Sequence, residues 1–191
     1  MTTGPVFTLA NQLTLLRMLL IPGFVLLVVY GEFGWALAVF LFAGVTDALD
    51  GLIARWSDQR TSLGAWLDPM ADKLLLVTTF VILTLPGLGL ANRLPIWLTV
   101  LIIFRDVGIV LTVAIVNLAL GPRTFRPSPL GKVATATYIV TAVVAMFFNY
   151  LGYHSVVFDL FVYASLLVTL ASGFDYIWHA ARIIERTGSG G

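Results

Sequence analysis

Cysteine is missing from this 191-residue sequence, which excludes disulfides and thiolate metal sites and leaves the redox state of its compartment unreadable. Charge is scarce as well. Asp, Glu, Lys and Arg make up 11% of the residues, where soluble domains carry roughly 25%. With 59% hydrophobic residues and a mean hydropathy of +0.97, the composition argues against a water-soluble globule. A net charge of +1 argues against a nucleic-acid partner held by bulk electrostatics. The N-terminal stretch Met1 to Gln12 lacks the cationic start of a secretory signal and the Arg/Ser richness of a transit peptide. The first apolar run is therefore expected to stay as a true span, and a bacterial plasma membrane is favoured. Residues 1–186 read as a single membrane domain without a linker, and the Gly/Ser-rich residues 187–191 as a disordered tail.

What is abundant is apolar sequence in long runs. A membrane span needs about 20 mostly apolar residues, and six stretches qualify: Thr8–Tyr30, Phe33–Arg55, Ser62–Leu85, Leu94–Leu118, Pro129–Leu151 and Val156–Ile184. The expected fold is an all-α integral membrane protein with six transmembrane helices and both termini on one side. That side collects Arg17, Arg55, Arg60, Arg123, Arg126, Lys132, Arg182 and Arg186. The other holds Glu32, Arg93, His154 and Asp159. The positive-inside rule makes the first side cytoplasmic. Trp35, Trp66, Trp97 and Trp178 fall near span ends, as an interfacial aromatic belt requires.

The unusual residues are acidic. Asp47, Asp50, Asp68 and Asp72 lie inside or at the ends of apolar spans, where an ionised carboxylate costs roughly 2.5–3.5 kcal/mol on insertion scales. Asp47 and Asp50 stand three residues apart on one helix face, with Gly51 and Ala54 on much the same stripe. After a turn through Trp56 to Thr61, Gly64, Asp68 and Asp72 repeat at four-residue spacing, so a hairpin of the second and third spans brings two acidic stripes together. Carboxylates that close raise one another's pKa unless positive charge sits among them. Oxygen ligands without nearby His or Cys favour Mg²⁺ or Mn²⁺ over zinc. Arg55 can grip phosphate oxygens in a bidentate fashion. The plainer alternative makes these aspartates helix caps or partners of Arg55, Arg60 and Lys73. In another, Pro69 opens a helix with Asp68 as its N-cap, which would break the second stripe.

The string Asp47-x2-Asp50-Gly51-x2-Ala54-Arg55-x8-Gly64-x3-Asp68-x3-Asp72 resembles the CDP-alcohol phosphotransferase (phosphatidyltransferase) motif at all eight fixed residues over 26 positions. The resemblance implies a homodimer whose polar, metal-containing cavity opens to the cytoplasm, and an alcohol displacing CMP from a CDP-linked lipid such as CDP-diacylglycerol. It makes Asp47, Asp50, Asp68 and Asp72 ligands of two Mg²⁺ or Mn²⁺ ions, with Asp72 also the general base. Gly51, Ala54, Arg55, Gly64, Asn11 and Thr14 would line the CDP-lipid site. Asn11-Gln12-Leu13-Thr14-x2-Arg17 and Ser172-Gly173-x-Asp175-Tyr176 resemble the branch that makes phosphatidylglycerophosphate and cardiolipin. Within that branch, Arg105-Asp106-Val107 departs from the Arg-Glu pattern of phosphatidylglycerophosphate synthases. With Pro127-Ser128-x2-Gly131-Lys132-x2-Thr135 it is more similar to cardiolipin synthases, whose acceptor is phosphatidylglycerol. Glycerol-3-phosphate is the alternative acceptor.

Arg105, Lys132, Arg123 and Arg126 are the candidate acceptor-binding residues. For Arg105 the competing role is an ion pair with Asp106 or Asp175, with neighbouring helical residues about 100° apart and poorly placed to face each other. For the loop cations it is ordinary positive-inside charge attracting membrane lipids. Asn11, Thr14 and Arg17 are read either as a cap and a snorkelling charge or as a wall of the nucleotide site. Two other classes use related physics: membrane prenyltransferases, which place acidic motifs on separated helix pairs, and cation transporters, which favour acidic residues near mid-membrane on broken helices.

Overall fold

Away from water, an apolar run has to satisfy its backbone N–H and C=O groups internally, and a helix does so within one segment. In the structure, a computed structural model, each of the six apolar runs forms one helix. The described residues are 9–57, 62–120 and 128–188, with side chains described chiefly over 14–46, 73–112 and 128–178. The elements are α1 (Leu9–Val29), α2 (Phe33–Ser57), α3 (Ser62–Thr84), α4 (Ile96–Leu120), α5 (Pro129–Leu151) and α6 (Val156–Gly188). Their ends fall within a few residues of those expected from hydropathy. α6 continues to Gly188, so Thr187 and Gly188 are helical rather than part of a disordered tail, and residues 189–191 lie outside the description. Among the described residues, α5 and the Val156–Trp178 part of α6 are long and apolar enough to cross a membrane. The apolar parts described for the first three helices are shorter: Thr14–Val29, Phe33–Thr46 and Lys73–Thr84.

Helix ends are set by local chemistry. α1 stops at Gly31, whose φ of 78° is a left-handed conformation that a Cβ would disfavour. Glu32 N–H then reaches back to the Leu27 carbonyl at 2.8 Å, closing the last turn. Gly152, with φ of 77°, ends α5 in a similar way and donates its N–H to the Phe148 carbonyl at 3.0 Å. Ser128 caps α5 by accepting the Gly131 N–H at 3.0 Å, and the Ser155 hydroxyl accepts the Val157 N–H at the start of α6.

Burial runs opposite to a soluble protein. Leu19, Trp35, Phe104, Val156 and Phe174 are largely exposed, whereas the buried positions are rich in small and hydroxylated residues such as Ala36, Ala43, Ala134, Ala142, Ala145, Thr141 and Ser165. Lipid tails are as apolar as leucine, so helices in a bilayer associate through close packing of small residues and interhelical hydrogen bonds.

The chain forms two compact units. The first contains α1, α2, α3, the loop to Arg93, and Ala145–His154. Within it α1 packs against both α2 and α3. Its loop is fastened by an amide clamp: Asn92 N–H donates to Asn149 Oδ1 at 2.8 Å, and Asn149 Nδ2 donates to the Asn92 carbonyl at 3.1 Å. Asn92 Nδ2 also donates to the Tyr153 carbonyl at 2.8 Å. The second unit contains Leu94–Val144 and Ser155 onward, with α4 packed against α6. Here α5 and α6 are joined by hydroxyls: Tyr138 with Thr169 at 2.7 Å and Thr141 with Ser165 at 2.8 Å.

Asn149→Leu leaves a buried backbone N–H and C=O of Asn92 without that amide, an expected loss of about 1–3 kcal/mol per group. A lowered thermal unfolding midpoint in detergent is the expected readout. A midpoint equal to wild type would show that the clamp contributes nothing.

Candidate functional site

Two places in the chain concentrate polar residues on apolar helices, one in each unit. In the first, the buried positions of α2 are Ala36, Phe40 and Ala43, spaced four and three residues apart. Continued along the same helix with the same alternation, that register passes through positions 47, 50 and 54. In α3 the buried positions Ala71, Leu75, Thr79 and Ile82 define a face that, followed backwards, takes in positions 64, 68 and 72. α3 begins at Ser62 and runs through Pro69 without interruption, so position 68 is internal to the helix and does not start it. Positions 64, 68 and 72 therefore lie on one uninterrupted helix together with Ala71, Leu75, Thr79 and Ile82. The side chains of Asp47, Asp50, Gly51, Ala54, Arg55, Gly64, Asp68 and Asp72 themselves lie outside the described residues, as does that of Asn11. Among the described residues no group of three or more acidic, His or Cys side chains comes together.

α1, against which both acidic helices pack, contributes its own polar face. Thr14, Arg17, Phe24 and Val28 are all buried, at a spacing of three, seven and four residues. Arg17 is 1% exposed, so it lies on the packed face and does not snorkel outward. A guanidinium in that position requires acidic or polar company. The two helices packed on α1 carry carboxylates at four positions of the registers above. For a divalent cation the donor types fit: oxygen-bearing residues on two helices that both pack on α1, with Gly and Ala in the same stretches of sequence.

The second place is built around Arg105 on α4. Its side chain is 9% exposed and makes an ion pair with Asp106, Nη1 to Oδ1 at 2.7 Å. The two side chains leave the helix in different directions, yet the long guanidinium folds round to its neighbour, contrary to the expectation from helical angles alone. Its ion pair is with Asp106 rather than with Asp175. Nε donates to Ser172 Oγ on α6 at 2.8 Å, and Nη2 donates to the same oxygen. The Tyr176 ring lies beside the cation, its centroid 5.9 Å from Cζ. The first turn of α5 comes up against the same guanidinium: a Cβ on Gly131 would sit 3.4 Å from Nη2. Three of the five guanidinium N–H groups are thus used within the described residues, leaving two donors beside the partly positive start of α5. Lys132 follows directly and is exposed. That arrangement can receive an anion such as phosphate. Arg123 and Arg126 lie outside the described residues.

Sequence reasoning named Arg105 and Lys132 and noted Ser172 and Gly131 within longer strings, but not that Arg105, Ser172 and Gly131 come together. It also missed the Tyr138–Thr169 and Thr141–Ser165 bonds. The signal was present in α6, where Ser165, Thr169 and Ser172 recur at helical spacing along one buried face.

Comparison with known proteins agrees with these features. The family model for CDP-alcohol phosphatidyltransferase matches residues 7–173. Cardiolipin synthase (CMP-forming) of Homo sapiens is 33% identical over 198 aligned residues, covering 94% of this chain and 64% of that protein. A probable phosphatidylglycerophosphate synthase of Mycobacterium tuberculosis is 34% identical over 186 residues, covering 92% of this chain and 83% of the relative. Cardiolipin synthase (CMP-forming) of Streptomyces coelicolor is 38% identical over 143 residues, covering 70% of this chain and 62% of the relative. The chain thus spans somewhat under two thirds of the length of the cardiolipin synthases it matches. The family matched is one of phosphatidyltransferases, which favours neither the prenyltransferase nor the transporter reading. With the acidic motif on two consecutive helices and the family match over most of its length, this all-helical membrane protein belongs to the CDP-alcohol phosphatidyltransferases.

Proposed function

We propose that this chain transfers the phosphatidyl group of CDP-diacylglycerol to a glycerol-type alcohol, releasing CMP, with phosphatidylglycerol as acceptor and cardiolipin as product. The observation that carries the reading is the shared register. Positions 47, 50 and 54 of α2, and 64, 68 and 72 of α3, continue faces that are buried elsewhere in the same helices. Two human and bacterial relatives named cardiolipin synthase support the acceptor. The mycobacterial relative supports a second reading, in which glycerol-3-phosphate is the acceptor.

On this reading Asp47, Asp50, Asp68 and Asp72 hold divalent metal, two ions of Mg²⁺ or Mn²⁺, which when bound offsets negative charge on the diphosphate and the departing CMP. Gly51, Ala54 and Gly64 leave room for the nucleotide and diphosphate, Arg55 grips phosphate oxygens, and Asn11 and Thr14 form the far wall. Asp72 accepts the proton of the acceptor hydroxyl as that oxygen bonds to the lipid-side phosphorus. The phosphorus–oxygen bond to CMP breaks in line, and CMP carries away the bridging oxygen. Arg105 and Lys132, with Arg123 and Arg126 from the preceding loop, hold the acceptor's phosphate.

The six helices all span the bilayer as one domain, with both termini and the polar cavity on the cytoplasmic side of a bacterial plasma membrane. The cluster of cations at that set of helix ends supports this orientation. The working form is a homodimer.

Asp50→Asn and Asp68→Asn are expected to lower CMP release by more than roughly a hundredfold, while the protein still inserts and elutes as a folded species. Near-wild-type turnover in either variant would refute the metal assignment. Arg105→Lys keeps the charge but cannot serve Ser172 and Asp106 together. Its KM for the acceptor should rise about tenfold with the donor KM little changed; equal shifts in both would remove Arg105 from acceptor binding. Purified protein given CDP-diacylglycerol and Mn²⁺ should form a product with phosphatidylglycerol, and not with inositol phosphate or serine. Product from glycerol-3-phosphate alone would establish the second reading.

A further inference from the structure

Beside Arg105, α4 and α6 enclose a cavity of ≈ 260 Å³. It follows one face of each helix, from Leu101 to Thr112 on α4 and from Thr169 to Ile177 on α6. At 1.5 Å per residue these stretches extend roughly 12–16 Å. Room is made by missing side chains: Gly108 and Gly173 both line it, and a Cβ on either would meet nothing within 4 Å. Its mouth is set between Phe104, Phe174 and Ile177, all strongly exposed on the outer face of their helices.

The walls repel water as well as admit chain. The two threonines that line the cavity have their hydroxyls engaged within the protein: Thr112 Oγ1 donates to the Gly108 carbonyl at 2.8 Å, and Thr169 Oγ1 pairs with Tyr138 and with the Ser165 carbonyl. What remains is largely apolar surface, with Arg105 and Tyr176 as the other side chains that carry polar groups, and two guanidinium N–H groups not engaged among the described residues can meet an anionic oxygen. An apolar cavity of this size binds apolar guests in preference to water. Its ligand must then be an anion and a hydrocarbon in one molecule.

We propose that this groove seats an acyl chain of the acceptor phospholipid, with the phosphate of the same lipid on Arg105. The proposal rests on the lipid-acceptor reading above and deepens it. The acceptor is selected by its chain as well as by its headgroup, so a headgroup cut free of its chains binds poorly. The donor, whose diphosphate belongs with the acidic motif, does not need this groove.

Gly108→Leu and Gly173→Leu fill the groove without meeting a neighbour at Cβ and replace a weak helix former with a strong one. With CDP-diacylglycerol as donor, KM is measured in each variant for long-chain phosphatidylglycerol and for glycerophosphoglycerol, which has the headgroup alone. The ratio of these two constants should move against the long-chain lipid by roughly tenfold, the value of about two buried methylenes. An unchanged ratio would overturn the proposal. A second measurement needs no turnover: phosphatidylglycerol carrying a diazirine in its acyl chain is photolysed on the full-length wild-type protein. Labelling of Leu101–Thr112 or Thr169–Ile177, displaced by phosphatidylglycerol and not by phosphatidylcholine, supports the groove. Equal displacement by both would make it ordinary boundary lipid, and cross-linking of one copy to another through these residues would make it an interface; either result overturns the proposal. If phosphatidylglycerol is labelled here but is no substrate, the acceptor reading fails while the lipid site stands.

Discussion

A polar or charged group among apolar helices must find a partner on another helix, or it costs several kcal/mol. Most of this protein's organisation is an answer to that constraint. Arg105 on α4 is met by Asp106, Ser172 and the ring of Tyr176. Tyr138 and Thr141 on α5 are met by Thr169 and Ser165 on α6. Each bond is modest by itself, but each fixes which faces of two helices meet and at what height. With apolar side chains outside as well as inside, burial of hydrophobic surface could not make that choice.

The same constraint gives the acidic motif its meaning. Carboxylates would be expelled from a packed helical face unless the face were wet or held cations. Their positions nonetheless continue the buried registers of α2 and α3, on the two helices that share α1 as a neighbour. α1 in turn turns Arg17 and Thr14 inward.

The two polar centres are built differently. The acidic motif falls on two consecutive helices, so within each of them its spacing is set by helical geometry. The Arg105 centre gathers α4, the first turn of α5 and the middle of α6, with Gly131 in contact with the guanidinium.

The number of helices and their ends to within a few residues were legible in the sequence. All of these follow from local rules: a rise of 1.5 Å per residue, a period of 3.6, and the intolerance of apolar runs for unpaired backbone. The continuity of α3 through Pro69 was not, because a proline permits either a helix start or a passage through one. Nor could the sequence say that Arg105 pairs with Asp106, that Ser172 holds it, or that Gly108 and Gly173 leave a groove between α4 and α6. The Arg105–Ser172 contact joins residues 67 positions apart, and it and the groove depend on the rotation and height at which two helices pack. No local periodicity encodes that choice; only the summed contacts of the folded chain decide it.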